Sequence, residues 1–146
     1  ENLLSLIHHC TESKARVVRE DVNDQGRRQI LNFGHTIGHA LETISGYQGM
    51  THGQAVAIGM VVETFISEAI GIAKKGLTAD VYKRLQSLGL PTKIPSKISV
   101  ERIIDACKRD KKRSSKEIPF ALVSTPGQCE IHQIEAPELL KILRSL

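Results

Sequence analysis

Two histidines stand four residues apart in the stretch NFGHTIGHALE, and a glycine directly precedes each of them. On a helix, residues i and i+4 share a face, so His35 and His39 could bind one metal ion together. Zinc proteases use such a pair, but their motif also needs a glutamate directly after the first histidine, where this chain has Thr36. The spacing alone is a weak indication of a metal site, and a catalytic face and a plain polar helix surface remain alternatives.

The segment around these histidines predicts an amphipathic helix over residues 27–45. Its apolar residues share one face of a helical wheel: Ile30, Phe33, Ile37, Leu41 and Ile44. Its polar residues form a stripe on the other face: Arg28, Asn32, His35, His39 and Glu42. This stripe lacks lysine and Glu–Lys pairs, unlike an ordinary solvated face. Gly34 and Gly38 each cost about 1 kcal/mol relative to alanine, which indicates that something approaches this backbone closely. We therefore favour a functional face.

A third histidine, His52, stands in the stretch THGQAVAIGM, just before a nearly continuous apolar run. The run predicts a buried, central helix over residues 54–73. A histidine at the entry of that helix could reach across a cleft to the first two histidines. A helix-capping or loop histidine is equally consistent with the pattern.

The remaining periodicities predict a mainly α fold with a small β-hairpin near residues 118–134. Further helices are expected over residues 3–18, 78–88, 100–108 and 137–146, with Thr78 and Ser99 as N-caps. The hairpin strands, residues 118–124 and 129–134, flank a Pro126–Gly127 turn. Length and composition fit one helical domain over residues 1–146, with 40% hydrophobic and 25% charged residues.

Six of the twenty basic residues lie in the run CKRDKKRSSKE, residues 107–117, and the net charge is +4. Such a run is either solvated charge or an anion site for phosphate, carboxylate or nucleic acid. Only 3% of the residues are aromatic and none is tryptophan, which counts against a base-stacking nucleic-acid surface.

The three cysteines are widely spaced and form neither a disulfide framework nor a zinc knuckle, which favours a reducing compartment. No signal peptide is visible at the start of the sequence. Polar residues interrupt the apolar run over residues 55–72, so we predict a buried helix and no membrane partner. Together these features predict a cytoplasmic protein.

Three blocks of sequence together resemble the 3-dehydroquinate synthase family of sugar-phosphate cyclases. They are D-x-x-D-x-G-x-R-x-x-L-N-F-G-H-T-x-G-H-A-x-E, H-G-Q-A-V-A-I-G-M and R-D-K-K, in the family's order from about residue 14 to residue 112. The resemblance implies the helical C-terminal domain of a two-domain, homodimeric enzyme of the shikimate pathway. That enzyme converts 3-deoxy-D-arabino-heptulosonate 7-phosphate to 3-dehydroquinate, using NAD and a zinc or cobalt ion.

The resemblance also implies roles for individual residues. His35 and His52 match the metal-binding histidines, and His39 matches a histidine that assists proton transfer near the phosphate. The residues that match substrate-binding positions are Lys14, Arg28, Asn32 and either Lys111 or Lys112. No NAD-binding residue is expected here, because no glycine-rich strand–turn–helix unit occurs in the sequence. By the family's spacing, the Rossmann-like NAD domain and the third metal ligand, a glutamate, lie upstream of residue 1.

The sequence departs from the family at two positions, with Gln54 in place of glutamate and Val22 in place of an acidic residue. Related cyclases that make 2-deoxy-scyllo-inosose, epi-valiolone or aminodehydroquinate remain alternatives, as do more distant enzymes like glycerol dehydrogenase. Lys14, Arg28 and Asn32 together favour a substrate that carries a carboxylate. A non-catalytic helical module that binds nucleic acid through residues 107–117 is the alternative from another class, and we expect no nucleic-acid partner. The chain alone is expected to be inactive.

Overall fold

The computed structural model describes residues 2–24, 26–46, 49–110 and 117–146. It confirms the mainly α fold with one antiparallel hairpin. The elements are α1 (Leu3–Glu20), a 3₁₀-helix (Arg27–Asn32), α2 (His35–Ile44), α3 (His52–Ala69), α4 (Leu77–Ser87), α5 (Val100–Asp110), β1 (Glu117–Thr125), β2 (Gln128–Glu135) and α6 (Ala136–Leu143). Within the described ranges, no helix combines the length and the apolar character that a membrane crossing requires.

The described residues group into two compact units, residues 1–31 and residues 32–146. The expectation of a single domain over the whole chain stays a prediction. In the first unit, α1 begins at a side-chain cap, since the Asn2 side chain accepts a hydrogen bond from the amide of Leu4 at 2.7 Å. The turn after α1 is closed by the Asp21 carboxylate, which accepts from the amides of Gly26 (2.8 Å) and Arg28 (3.1 Å).

The core of the second unit forms around α3, and three of its polar side chains bond to neighbouring elements. Glu63, fully buried, accepts hydrogen bonds from the amides of Gly34 (2.7 Å) and Ile37 (3.1 Å) at the start of α2. The Ser67 hydroxyl donates to a β1 carbonyl at 2.7 Å, and the Glu68 carboxylate accepts from the amide of Thr78 in α4 at 2.6 Å. The polar residues that interrupt the apolar run therefore attach α2, β1 and α4 to α3.

Glycines allow α2 and α3 to cross at close range. A Cβ on Gly59 of α3 would overlap the carbonyl oxygen of Gly34 and lie 3.0 Å from the amide nitrogen of Gly38. A Cβ on Gly34 would lie 2.8 Å from the carbonyl oxygen of Val56. The close approach that the sequence indicated at Gly34 and Gly38 is therefore made by the backbone of α3.

The prediction of one helix over residues 27–45 is wrong. The chain forms a 3₁₀-helix up to Asn32, turns at Gly34 with φ of 81°, and starts α2 at His35. Gly34 adopts this left-handed conformation without a Cβ penalty, and Glu63 binds its amide. The central helix α3 begins at His52 rather than at residue 54, behind a capping box that Thr51 and Gln54 form.

Predictions at the other helix starts have mixed outcomes. Thr78 is not the N-cap of α4, because the helix begins one residue earlier behind Gly76, whose φ is 108°. Ser99 is confirmed as a cap, since its hydroxyl accepts from the amide of Arg102 at 3.4 Å. At α6, proline in the first turn is also confirmed.

The hairpin covers part of the core that α2 and α3 share, and the Thr36 hydroxyl of α2 donates to the carbonyl of Pro119 in β1 at 3.1 Å. Ile118 pairs with Ile134, and Phe120 pairs with His132. Alternate β1 residues point inward and are buried: Ile118, Phe120 and Leu122. On β2, burial raises the pKa of the Cys129 thiol to about 11, and the negative charge of Glu63 adds to this rise.

The glycine contact predicts opposite effects for one substitution at two positions of α3. Gly59→Ala should destabilise the fold by about 1–3 kcal/mol or more, because the new methyl group overlaps backbone that cannot rotate away. Gly53→Ala is the matched control, since a Cβ there meets open space. Because alanine favours helices, this control should be neutral or slightly stabilising. Urea unfolding of both variants checks the difference, and equal stabilities would contradict the crossing described above.

Candidate metal centre

Three imidazole rings meet beside the crossing of α2 and α3. Their centroids are 5.5 Å apart for His35 and His39, 5.3 Å for His35 and His52, and 5.9 Å for His39 and His52. His35 and His39 lie one turn apart at the start of α2, and His52 is the first residue of α3. The structure therefore brings together the three histidines that the sequence singled out.

Two of these rings have a hydrogen-bond acceptor beside Nδ1. The Nδ1 atom of His35 lies 3.2 Å from the carbonyl oxygen of Phe33, and that of His52 lies 3.1 Å from Oε1 of Glu42. A carbonyl oxygen can only accept, so the hydrogen bond of His35 requires a proton on Nδ1. In the neutral ring this leaves the lone pair on Nε2, the form in which imidazole binds metals.

Glu42 belongs to the polar stripe that the sequence favoured as a functional face, where it had no assigned role. Its side chain is only 10% exposed and lies against His52. Potential ligand atoms of His39, Glu42 and His52 all lie within 4.8 Å of one another. Two imidazoles and a carboxylate are donors that zinc and cobalt accept, so the residues present fit such an ion.

Glu63 is a second residue that sequence reasoning passed over as a mere interruption of an apolar helix. Its carboxyl group occupies the amides of Gly34 and Ile37, so part of the positive N-terminal end of α2 is already used inside the protein. The signal that could have revealed it was an acidic residue within an otherwise apolar helix, which needs a buried partner.

The other predicted site residues that the structure describes lie outside α2 and α3. Asn32 is exposed at the end of the 3₁₀-helix. Lys14 is exposed on α1, and Arg28 is half-buried after the Asp21 turn, both within the first unit. The Arg28 guanidinium donates to the carbonyl of Val22 at 3.0 Å. Lys111 and Lys112 lie outside the described residues.

Comparisons with known proteins relate the chain to one protein family. A family model described as 3-dehydroquinate synthase C-terminal matches residues 1–113. The 3-dehydroquinate synthase of Clostridium acetobutylicum is 41% identical over 144 residues, which are 99% of this chain and 40% of that protein. The Streptococcus suis enzyme is 42% identical over 139 residues, 95% of this chain and 39% of its own length. The chain thus spans about two fifths of the curated relatives it matches.

Solved structures support the fold. A 2-deoxy-scyllo-inosose synthase, crystallised with carbaglucose-6-phosphate, NAD⁺ and Co²⁺, superposes with a TM-score of 0.79 at 24% identity, over 95% of this chain and 39% of that one. A 2-epi-5-epi-valiolone synthase from Streptomyces hygroscopicus, with NAD⁺ and Zn²⁺ bound, gives 0.74 at 16% identity, over 97% and 39%. At these identities the likeness concerns the fold alone.

The family model matches residues 1–113, and the two bacterial relatives are more than 40% identical to the chain. The chain therefore belongs to the 3-dehydroquinate synthase family, and residues 1–113 correspond to its C-terminal region.

Proposed function

We propose that this chain is the metal- and substrate-binding part of a 3-dehydroquinate synthase. The reaction would convert 3-deoxy-D-arabino-heptulosonate 7-phosphate to 3-dehydroquinate with loss of phosphate. The observation that carries the proposal is the convergence of His35, His39 and His52 in a chain of this family. Zinc or cobalt and NAD are the proposed cofactors, because related cyclases were crystallised with NAD⁺ and Co²⁺ or Zn²⁺.

His35 and His52 are the proposed metal ligands. Each ring has an acceptor beside Nδ1, which leaves Nε2 of the neutral ring to bind the ion. When bound, the ion supplies Lewis-acid chemistry at the carbon that is transiently oxidised, and NAD supplies the redox capacity. A third, carboxylate ligand from another part of the polypeptide would complete the set.

His39 is the proposed proton-transfer residue. It lies one turn after His35, and its ring is exposed beside the other two. Imidazole ordinarily titrates near neutral pH, which suits a group that holds or moves a proton at a departing phosphate oxygen.

Arg28, Lys14 and Asn32 are proposed to bind the carboxylate, phosphate and hydroxyl groups of the substrate, with Lys111 or Lys112 as a further anion contact. A guanidinium matches a carboxylate with two parallel hydrogen bonds. The Asp21 turn supports this role, because it fixes the backbone of Arg28 through a 3.1 Å hydrogen bond. The proposed substrate carries both a carboxylate and a phosphate, so these basic residues have a target other than nucleic acid.

The proposal predicts which histidine variants lose the metal. We define a fusion protein in which this chain replaces the matching region of the Clostridium acetobutylicum relative. In it, His35→Ala and His52→Ala should lose stoichiometric zinc, whereas His39→Ala should retain it and lower kcat by about 10²–10⁴-fold. Metal analysis after gel filtration, together with phosphate-release kinetics, checks both parts. Loss of zinc from His39→Ala would refute the proposed division of roles.

The proposal also predicts that the 146-residue chain alone releases no phosphate from the substrate when NAD and zinc are supplied. No pyrophosphate-binding motif occurs in its sequence, and a cleft without its second wall would not exclude water or position the substrate. The fusion protein should be active in the same assay. Turnover by the chain alone at about a tenth or more of the fusion's rate would contradict the prediction.

A substrate series separates this function from that of a related cyclase. The fusion should prefer the heptulosonate phosphate over glucose 6-phosphate, which lacks a carboxylate, and Arg28→Lys should reduce this preference because lysine cannot form the paired contact. Arg27→Lys is the matched control, since Arg27 is exposed and pairs with Glu20. Preference for the substrate without a carboxylate would instead indicate a related cyclase.

A further inference from the structure

We propose that Glu42 is a positioning residue that fixes the ring of His52 with its proton on Nδ1, which leaves the Nε2 lone pair free for a metal ion. This inference rests on the proposed function, because it assigns His52 to the metal. It concerns a residue of the polar stripe to which the sequence assigned no individual role.

The buried carboxyl group of Glu42 lies beside the exposed ring of His52. Glu42 lies in the last part of α2, and its side chain is 10% exposed, whereas that of His52 is 56% exposed. Oε1 of Glu42 lies 3.1 Å from Nδ1 of His52, which is hydrogen-bond distance. Because α2 holds the carboxyl group in the protein interior, it restrains a ring that solvent would otherwise leave free to rotate.

The chemistry of the pair selects one tautomer. An ionised carboxylate can only accept hydrogen bonds, so a neutral imidazole bonded to it carries its proton on Nδ1. Nε2 then holds the lone pair that a metal requires, and the negative charge makes the ring a stronger donor. His35 has the same arrangement with a main-chain carbonyl in place of the carboxylate. Both proposed metal ligands are thus held by their Nδ1 atoms.

The rival role for Glu42 is direct metal binding together with His39 and His52, whose ligand atoms cluster within 4.8 Å. The parallel between the rings of His35 and His52 favours the positioning role. In the rival arrangement the carboxylate oxygen would bind the ion, and His39 would be as necessary for the metal as His52. The two roles therefore predict different sets of variants that lose zinc.

The first experiment needs no metal. Long-range ¹H–¹⁵N spectra of the histidine-labelled chain, with chelator at about pH 8.5, report the tautomer of each neutral ring. We expect His35 and His52 to carry their proton on Nδ1. Glu42→Gln should shift only His52 toward a mixture, because an amide can donate as well as accept. His35 is the internal control, and Glu130→Gln, at an exposed carboxylate 3.6 Å from Nε2 of His132, is the control variant.

The second experiment measures zinc affinity of the fusion protein by competition with a chelator. Glu42→Gln should weaken zinc binding about 10–100-fold, the usual effect of losing such a partner, while the thermal unfolding curve stays close to that of the parent. Glu42→Leu, which removes the acceptor entirely, should weaken it at least as much. Should either variant unfold, the spectra of the parent chain still decide the tautomer.

Several results would overturn the inference. A proton on Nε2 of His52 in the parent chain would do so, as would an unchanged tautomer and unchanged zinc affinity in Glu42→Gln. Loss of zinc from His39→Gln and Glu42→Gln alike would identify Glu42 as a ligand instead. If the parent fusion binds no zinc while the tautomer behaves as expected, the proposed function fails and the fixed ring of His52 remains.

Discussion

A buried hydrogen-bonded carboxyl group sets the geometry on which the candidate site depends. Glu63 lies inside α3 and accepts the amides of Gly34 and Ile37, so the first turn of α2 is attached to one point of the central helix. Leaving those amides without an acceptor in the interior would cost about 1–3 kcal/mol each. Because His35 and His39 lie on α2 and His52 lies on α3, this attachment fixes the register in which the three rings meet.

Much of the fold follows from sequence patterns, since helical and strand periodicity are local properties. They predicted α1, the central helix and the hairpin. The break at Gly34 is different, because apolar residues keep the helical period from Ile30 to Leu41. What interrupts the helix is a contact with a residue twenty-nine positions later in the chain. A wheel drawn through residues 27–45 cannot contain that contact, and the start of α4 at Gly76 likewise depends on Glu68.

For the candidate site, the sequence predicted the three histidines but not the role of Glu42. Motif order drew attention to His35, His39 and His52, and their closeness in space agrees with that choice. The polar stripe included Glu42, but a helical wheel does not show which element covers a face, so neither its burial nor its contact with His52 was predicted. Its burial arises from the N-terminus of α3, where His52 lies against it. Glu42 and Glu63 are both buried acidic residues, and each has a hydrogen-bond partner on another element.

The glycines directly before His35 and His39 have a geometric explanation. Positions 34, 38 and 42 of the chain are four apart and face positions 59, 56 and 52 of α3 in turn, so the two helices run antiparallel with one contact per turn. Glycine at the first two positions lets the backbones touch, and Glu42 at the third reaches the start of α3. Within α2, His39 follows Gly38 by one residue, about 100° around the helix. Its ring is therefore offset from the contact line and is exposed beside the rings of His35 and His52, which ties the spacing of the histidines to the packing of the helices.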